Sequence, residues 1–391
     1  MSLIYLDYAA TTPLNAKVKQ TMLDSISDDN DFFNSGSSTY EQAEFVKSKI
    51  ELVRSDIATT LGVLPREIIF TSGATESNNL AIKGVAYSYN NKGNHIITSK
   101  AEHKAVLDVC GFLEEQGFEV TYLDVNEFGE VDIKQLRESI KDQTIIVSLM
   151  AVNNELGTKN NLSEIGKITR QKGVVFHVDA AQGYGKVDID IKEMNIDLLS
   201  VSGHKLYAPK GVGFLYVRSK RPKIKLAKQI HGGTQEFSLR AGTLANYQIF
   251  ALGEACKEMF AKKEQNIKYV KQMRDQFLEI MHQIENIKIN TNLDNSYPGI
   301  LSVTFLGIKG ETLLAMLDEI CLSMGSACNS QAVEPSHVLT AIGLTSDQAE
   351  ATIRVSFGLQ TTQQQVIQSA SSIKQQVELL RALSPQGETN V

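Results

Sequence analysis

Residues 173–205 read GVVFHVDAAQGYGKVDIDIKEMNIDLLSVSGHK. Two short runs in this stretch, VVFHV and DLLSV, are almost continuously apolar. Each ends on polar residues, Asp179 after the first and Ser202, Gly203, His204 and Lys205 after the second. A strand covered on both faces has no solvent side for polar residues to mark, so such runs predict interior strands of a parallel α/β sheet. Working outward, similar runs at 67–70, 95–98, 119–123, 144–150 and 213–217 join 174–178 and 198–201 to make seven strands, with helix-like stretches between them. That alternation is the pattern of a mostly parallel sheet. The C-terminal third differs. A long helical period over 258–285 carries Ile267, Val270, Met273, Phe277, Ile280 and Ile284, and 300–305 and 352–356 read as strands of a smaller sheet. A last helix is predicted to start near Thr361, with Gln364 completing a capping box and Val366, Ala370, Ile373, Val377 and Leu380 on its apolar stripe.

A chain of 391 residues exceeds what a single hydrophobic core usually organises. Two domains are expected: a large one over 16–257, and a smaller one built from 1–15 and 258–391. Forty-five acidic against 39 basic residues give a net charge of -6, so no general attraction to nucleic acid or anionic membrane is expected. The N-terminal MSLIYLDYAATTP lacks a basic leader, and no apolar stretch approaches the ~18 residues that span a bilayer. A cytoplasmic location is therefore expected. Cysteines 110, 256, 321 and 328 make no CxxC pair and lie away from His pairs, which argues against a zinc site.

Open α/β sheets bind ligands beyond the carboxyl ends of their strands. The residues just past each apolar run are therefore the ones to read for a ligand. After IIF comes Thr71-Ser72-Gly73-Ala74-Thr75-Glu76 opening a helix, a small hydroxyl-rich turn suited to a phosphate; an ordinary helix cap reads the same way. It matches neither a Walker loop nor GxGxxG. Asp179 is a carboxylate at a buried strand end, where it could meet a protonated pyridine nitrogen or simply cap the next helix. Lys205, beside Ser202 and His204, could form a Schiff base with an aldehyde. His103 could stack on an aromatic ring, and Asn154 could bond a ring hydroxyl. None of these decides alone; their joint order along one sheet points to an anionic, aromatic, electrophilic ligand. Cys328, in MGSACNS, lies in a small-residue loop and is a reactive-thiol candidate. Arg354, alone in ATIRVSFG, calls for a carboxylate. The basic run Arg218, Lys220, Arg221, Lys223, Lys225 and Lys228 reads first as a solvated turn, with a partner-docking patch as second reading.

On these motifs the chain resembles the cysteine desulfurases of the NifS/IscS group, among the class V aminotransferase-like, fold-type I pyridoxal-phosphate enzymes. The stretches that carry the resemblance are LDYAATTP, FTSGATESNNLAIKG, ITSKAEHKAVLD, VNNELG, HVDAAQ, SGHKLYAPKG, HGGTQE, RAGT and GSAC. The resemblance implies an aspartate-aminotransferase-like α/β fold with a large sheet domain and a smaller α+β domain. It implies that Lys205 holds pyridoxal 5'-phosphate and moves the substrate α-proton, that Asp179 pairs with the pyridine nitrogen, and that His103 stacks on the ring. Asn154 and Gln182 would bond the phenolic oxygen. Ala74, Thr75, Ser202 and His204 would hold the phosphate, and Thr243 would reach the cofactor phosphate of a second subunit, implying a homodimer. Arg354, with Asn34 nearby, would bind the substrate carboxylate. Cys328 would attack the sulfur of bound L-cysteine, leaving alanine and a persulfide for a sulfur-acceptor protein: an iron–sulfur scaffold or a tRNA-thiolation carrier. The long insertion after Cys328 matches the subgroup with a mobile cysteine loop. Two departures stand out. Residues 33–40, FNSGSSTY, lack the Pro and His often found there, and the chain stops soon after LRALSP, short of the tail that docks the scaffold in IscS-type enzymes. A selenocysteine lyase or an aminotransferase of the same fold is the enzyme alternative, and a non-catalytic scaffold that has kept the fold is the other.

Overall fold

Seven strands form the central sheet in the order Ile68–Thr71, Gly213–Val217, Leu198–Ser202, Val175–Asp179, Thr144–Met150, His95–Ser99 and Glu119–Leu123. The structure is a computed structural model and describes residues 3–324 and 335–383. Every neighbouring pair is parallel except the two made by Gly213–Val217, which runs antiparallel to both its neighbours. The predicted strands are found within a residue of their expected bounds. Successive side chains alternate between faces. Phe70, Val147, Phe176, Val178, Leu199 and Phe214 therefore pack on one side, against apolar positions of the helices Glu41–Leu61, Leu162–Lys172 and Asn246–Ala261. On the other side Ile69, Ile96, Ile146, Val175, Leu198 and Leu215 pack against Leu80 and Val85 of helix Ala74–Tyr89 and Val106, Val109 and Cys110 of helix Lys104–Glu115. Two buried faces explain why the strand runs are continuous rather than alternating.

A second core lies beside the sheet Thr352–Ser356, Ile300–Phe305, Ile287–Ile289, all antiparallel. Leu301, Val303, Phe305, Ile353 and Val355 share it with helices Lys263–Met281 and Gln363–Leu383, and the N-terminal Ile4 and Leu6 join them. Strand Ile4–Tyr5 pairs in parallel with Ile320–Cys321.

Two sequence expectations are corrected. The single helix predicted over 258–285 is two helices, Asn246–Ala261 and Lys263–Met281, broken where Lys262 leaves helical backbone (φ -126°, ψ 18°). The break has a packing cause. Phe250, Cys256 and Met259 serve the large core, whereas Val270, Met273 and Phe277 serve the second one, and one straight helix could not face both. The capping box of the last helix is shifted by one residue. Thr362 Oγ1 accepts from Gln365 N at 3.3 Å and Gln365 Oε1 accepts from Thr362 N at 2.9 Å, while Thr361 Oγ1 accepts from Gly358 N. Among the described residues no helix is long and apolar enough to cross a membrane.

Candidate cofactor site

The carboxyl ends of the parallel strands open into one cleft of about 520 Å³. Asp179 closes strand Val175–Asp179 and is buried. Its Oδ1 accepts from Ala181 N at 2.9 Å and its Oδ2 from Asn78 Nδ2 at 2.7 Å. Asn78 projects from helix Ala74–Tyr89 and was not singled out from sequence. Its burial and its place on the face of that helix turned to the sheet emerge only from the structure. The same helix starts at Gly73, whose φ of 147° favours glycine and which offers no capping side chain. Ala74 and Thr75 line the cleft at this uncapped N-terminus, where the helix dipole favours an anion. Ser202 lines it too, and a Cβ at position 73 would lie 3.4 Å from its hydroxyl.

Lys205 ends the short 3-10 turn Gly203–Lys205, directly after strand Leu198–Ser202. Its Nζ donates to the carbonyl oxygens of Ala9 and Ala10 at 2.5 and 2.6 Å. The N-terminal segment LDYAATTP thus forms a wall of the site. His204 Nδ1 lies 3.1 Å from Thr11 Oγ1. Burial, with Lys205, Lys186 and Lys210 nearby, pulls its pKa down to about 4, so the ring is neutral at pH 7. His103 caps helix Lys104–Glu115, its Nδ1 accepting from Ala105 N at 3.0 Å. In the neutral ring this places the proton on Nε2.

Arg354 sits on strand Thr352–Ser356, on the face opposite the apolar core. Its Nη1 donates to the Asn154 carbonyl at 2.9 Å and its Nη2 to Asp7 Oδ1 at 2.7 Å. The carboxylate that this arginine called for is thus supplied in part by Asp7, which sequence reading had not connected to it. Asn154 lines the cleft, and its Oδ1 is buried with no hydrogen-bond partner among the described residues. Gln182 Nε2 donates to Ala9 O and its Oε1 accepts from Lys186 Nζ, both at 2.8 Å. Behind the cleft, burial raises the Glu102 carboxyl well above the usual range, helped by Asp179 nearby. Burial likewise raises Glu155, whose carboxylate accepts from Ser336 Oγ at 2.6 Å. His337 Nε2 donates to the Glu102 carbonyl at 2.8 Å.

Ten of the predicted site residues line this cleft: Lys205, His103, Ala74, Thr75, Asn154, Asp179, Gln182, Ser202, His204 and Arg354. Asn34 and Thr243 do not; both are exposed, and Asn34 Oδ1 accepts from Gly36 N in its own turn. Cys328 lies outside the described residues. Of the basic run, Lys220, Arg221, Lys223, Lys225 and Lys228 are exposed. No group of His, Cys, Asp and Glu that could hold a metal ion occurs among the described residues.

The donor set fits a phosphorylated aromatic aldehyde. An uncapped helix N-terminus suits the phosphate, a strand-end carboxylate suits a ring nitrogen, and a lysine amine suits the aldehyde. Comparison with known proteins agrees. The aminotransferase class-V family model matches residues 4–368. The chain is 47% identical over 382 residues to "Cysteine desulfurase IscS" of Colwellia psychrerythraea and 46% identical to that of Vibrio cholerae, in each case over 98% of this chain and 94% of the relative. Among solved structures, a "NIFS-LIKE PROTEIN" superposes with a TM-score of 0.89 at 32% identity, covering 97% of this chain and all of that one. "SspA in complex with cysteine" superposes with a TM-score of 0.81 at 41% identity, covering 91% of this chain and 99% of that one. The chain belongs to the class-V aminotransferase family of pyridoxal-phosphate enzymes, in its cysteine desulfurase branch.

Proposed function

We propose that the chain takes the sulfur of L-cysteine, releases L-alanine, and carries the sulfur as a persulfide on Cys328 to an acceptor protein. The observation that supports this most is the convergence of Lys205, Asp179, His103 and the uncapped helix start on one cleft, in a chain of this family. Pyridoxal phosphate supplies an electron sink that labilises bonds around the substrate α- and β-carbons. The chain's own residues do the rest. Lys205 Nζ would hold the aldehyde carbon and move the substrate α-proton. The Asp179 carboxylate, fixed by Asn78 and the Ala181 amide, would keep the ring nitrogen protonated. The His103 ring, its Nδ1 tied to Ala105, would stack on the cofactor. The amides of Ala74 and Thr75 would meet the phosphate, with Ser202 and the neutral His204 donating to it. Asn154 and Gln182 would face the phenolic oxygen, and Arg354 would take the substrate carboxylate, a role the resemblance also gives to Asn34 although it lies outside this cleft. The Cys328 thiolate would form the new S–S bond as the substrate C–S bond breaks; the C–S electron pair goes to the three-carbon fragment, whose β-carbon takes up a proton equivalent to the one the Cys328 thiol gave up, and the fragment leaves as alanine.

Residues 16–257 serve as the cofactor domain, and 1–15 with 258–391 as the domain that brings Arg354 and Cys328 to it. The acceptor is an iron–sulfur scaffold or a tRNA-thiolation carrier, which transfer of labelled sulfur to each would decide, and the setting is cytoplasmic. A homodimer completes the site through Thr243. Exposed Phe45 and Leu52, seven residues apart on helix Glu41–Leu61, support this, with Phe237 beside that helix on the segment leading to Thr243.

The test is a pair of variants. Lys205→Ala is expected to lose the visible absorbance near ~400 nm that borohydride removes from a lysine-bound cofactor. Cys328→Ala is expected to keep that absorbance and lose alanine and sulfide release from cysteine. Undiminished release of alanine and sulfide by Cys328→Ala would sink the persulfide step.

A further inference from the structure

Lys186 is almost fully buried, and among the described residues its Nζ meets an amide oxygen rather than a carboxylate. That Nζ donates to Gln182 Oε1 at 2.8 Å and lies 5.5 Å from the centre of the Tyr297 ring. Burying an ammonium without an anionic partner is costly, so a site that keeps one calls for an explanation. The hydrogen bonds supply it. An ammonium only donates, so it accepts as neighbour only the oxygen end of the Gln182 amide. That fixes which way the amide faces. The NH2 end then points away from Lys186, gives one hydrogen to Ala9 O at 2.8 Å, and keeps the second for a ligand in the cleft that Gln182 lines. Ala9 O also receives Lys205 Nζ, so the two lysines grip one short chain of atoms from opposite ends.

We propose that Lys186 is a positioning residue that holds the Gln182 amide with its NH2 toward the phenolic oxygen of the cofactor. The inference rests on the reading of the cleft as a pyridoxal-phosphate site. Without Lys186 only the Ala9 contact resists a turn of the amide, which would set its carbonyl oxygen toward an acceptor oxygen. The groups that face Lys186 are consistent with a positioning role rather than a charge-balancing one: Lys205 repels it, His204 is neutral, and Tyr297 presents its ring. Burial and Lys205 lower the Lys186 pKa to about 7, so the donor-only ammonium that orients the amide is complete below that pH and is lost above it.

The experiment titrates the visible band of the lysine-bound cofactor with pH, and separately measures cofactor affinity of the apoprotein, in wild type, Lys186→Met and Lys186→Gln. Losing the amide donor leaves the phenolic oxygen more basic. In Lys186→Met the midpoint is expected to move up by about half a pH unit or more, and cofactor affinity to fall about tenfold, as for one lost hydrogen bond to a charged group. Lys186→Gln, which can donate to Gln182 Oε1 but can also accept from its NH2, is expected to recover part of both. In a Gln182→Leu background Lys186→Met is expected to add nothing. Should Lys186→Met not accumulate, Lys186→Leu gives the same reading. A midpoint and affinity identical to wild type, or an effect undiminished in Gln182→Leu, would overturn the proposal. A wild type that shows no borohydride-sensitive band would overturn the cofactor reading instead.

Discussion

Lys186 also makes a prediction about stability that needs no cofactor. Its pKa in the fold, about 7, lies below the ~10.4 of an unfolded lysine. Between those values the unfolded chain binds the extra proton, so this residue's contribution to stability rises with pH from about 7 to about 10 and is flat below. Replacing it by Met removes that slope. Apoprotein denatured in urea should therefore show wild type gaining on Lys186→Met between pH 7 and 9.5, by ~2–3 kcal/mol. Parallel curves for the two proteins across that range would contradict it. Lys186 also shows where sequence reading stops at this scale. Lys205 and Asp179 stood out because each follows an apolar run and breaks its pattern. Lys186 sits in GYGKVDID, where nothing in the composition signals burial, and only the tertiary packing of Tyr297 and Gln182 puts it inside. Asn78 and Glu155 escaped notice for the same reason: the partners that give them meaning lie about a hundred residues or more away.

Elements were legible where one periodicity served one core. The seven strands were found within a residue, whereas the predicted 258–285 helix ran across a break at Lys262: Met259 before it serves the large core, and Val270, Met273 and Phe277 after it serve the second. The segment before Thr243 carried no periodic signal at all, and the structure shows how it is held. Glu236, Phe237 and Ser238 all have positive φ (44°, 54° and 65°), a conformation that costs non-glycine residues about 1 kcal/mol or more each. Such a run persists only when its surroundings fix it. Here the buried Glu236 carboxylate takes both ends of the Arg54 guanidinium at 2.8 Å and accepts from Phe70 N, while Arg54 Nη1 also donates to Ile68 O. The segment is thereby stapled to helix Glu41–Leu61 and to strand Ile68–Thr71, which leads into the start of helix Ala74–Tyr89. Arg240, further along, adds a second tie to Glu76 at 2.9 Å. Breaking a buried pair strands the other charge. Glu236→Ala is expected to cost ~3–5 kcal/mol of unfolding free energy in chemical denaturation, against ~1 kcal/mol or less for Glu119→Ala, which removes the exposed partner of Lys141. Comparable losses from the two variants would mean that the buried pair is not what holds the segment.

At the scale of the molecule, the proposed homodimer would add Thr243 to a cleft that one chain otherwise lines. The strand ends, the N-terminal LDYAATTP segment and Arg354 all come from this chain, yet Thr243 lies exposed, outside the cleft lining. On the surface near it, Phe32, Phe45, Leu52 and Phe237 are between 52% and 63% exposed, and Arg54 lies beneath the Phe237 ring at 5.2 Å. Aromatic and leucine side chains left this open over one helix face and its neighbouring segment are what the proposed subunit contact would use. A second copy of the chain would cover it, and an isologous contact of this kind would carry each Thr243 toward the partner's phosphate. Charges on that face should then break the pair. Phe45→Asp with Leu52→Asp is expected to shift the protein from dimer to monomer at micromolar concentration in sedimentation velocity. Because Lys205, Asp179 and the helix start are untouched, the monomer should still bind cofactor, but more weakly, by the share that Thr243 contributes. A double variant that remains dimeric would place the interface elsewhere on the surface, and one that is monomeric with undiminished cofactor affinity would remove Thr243 from the site.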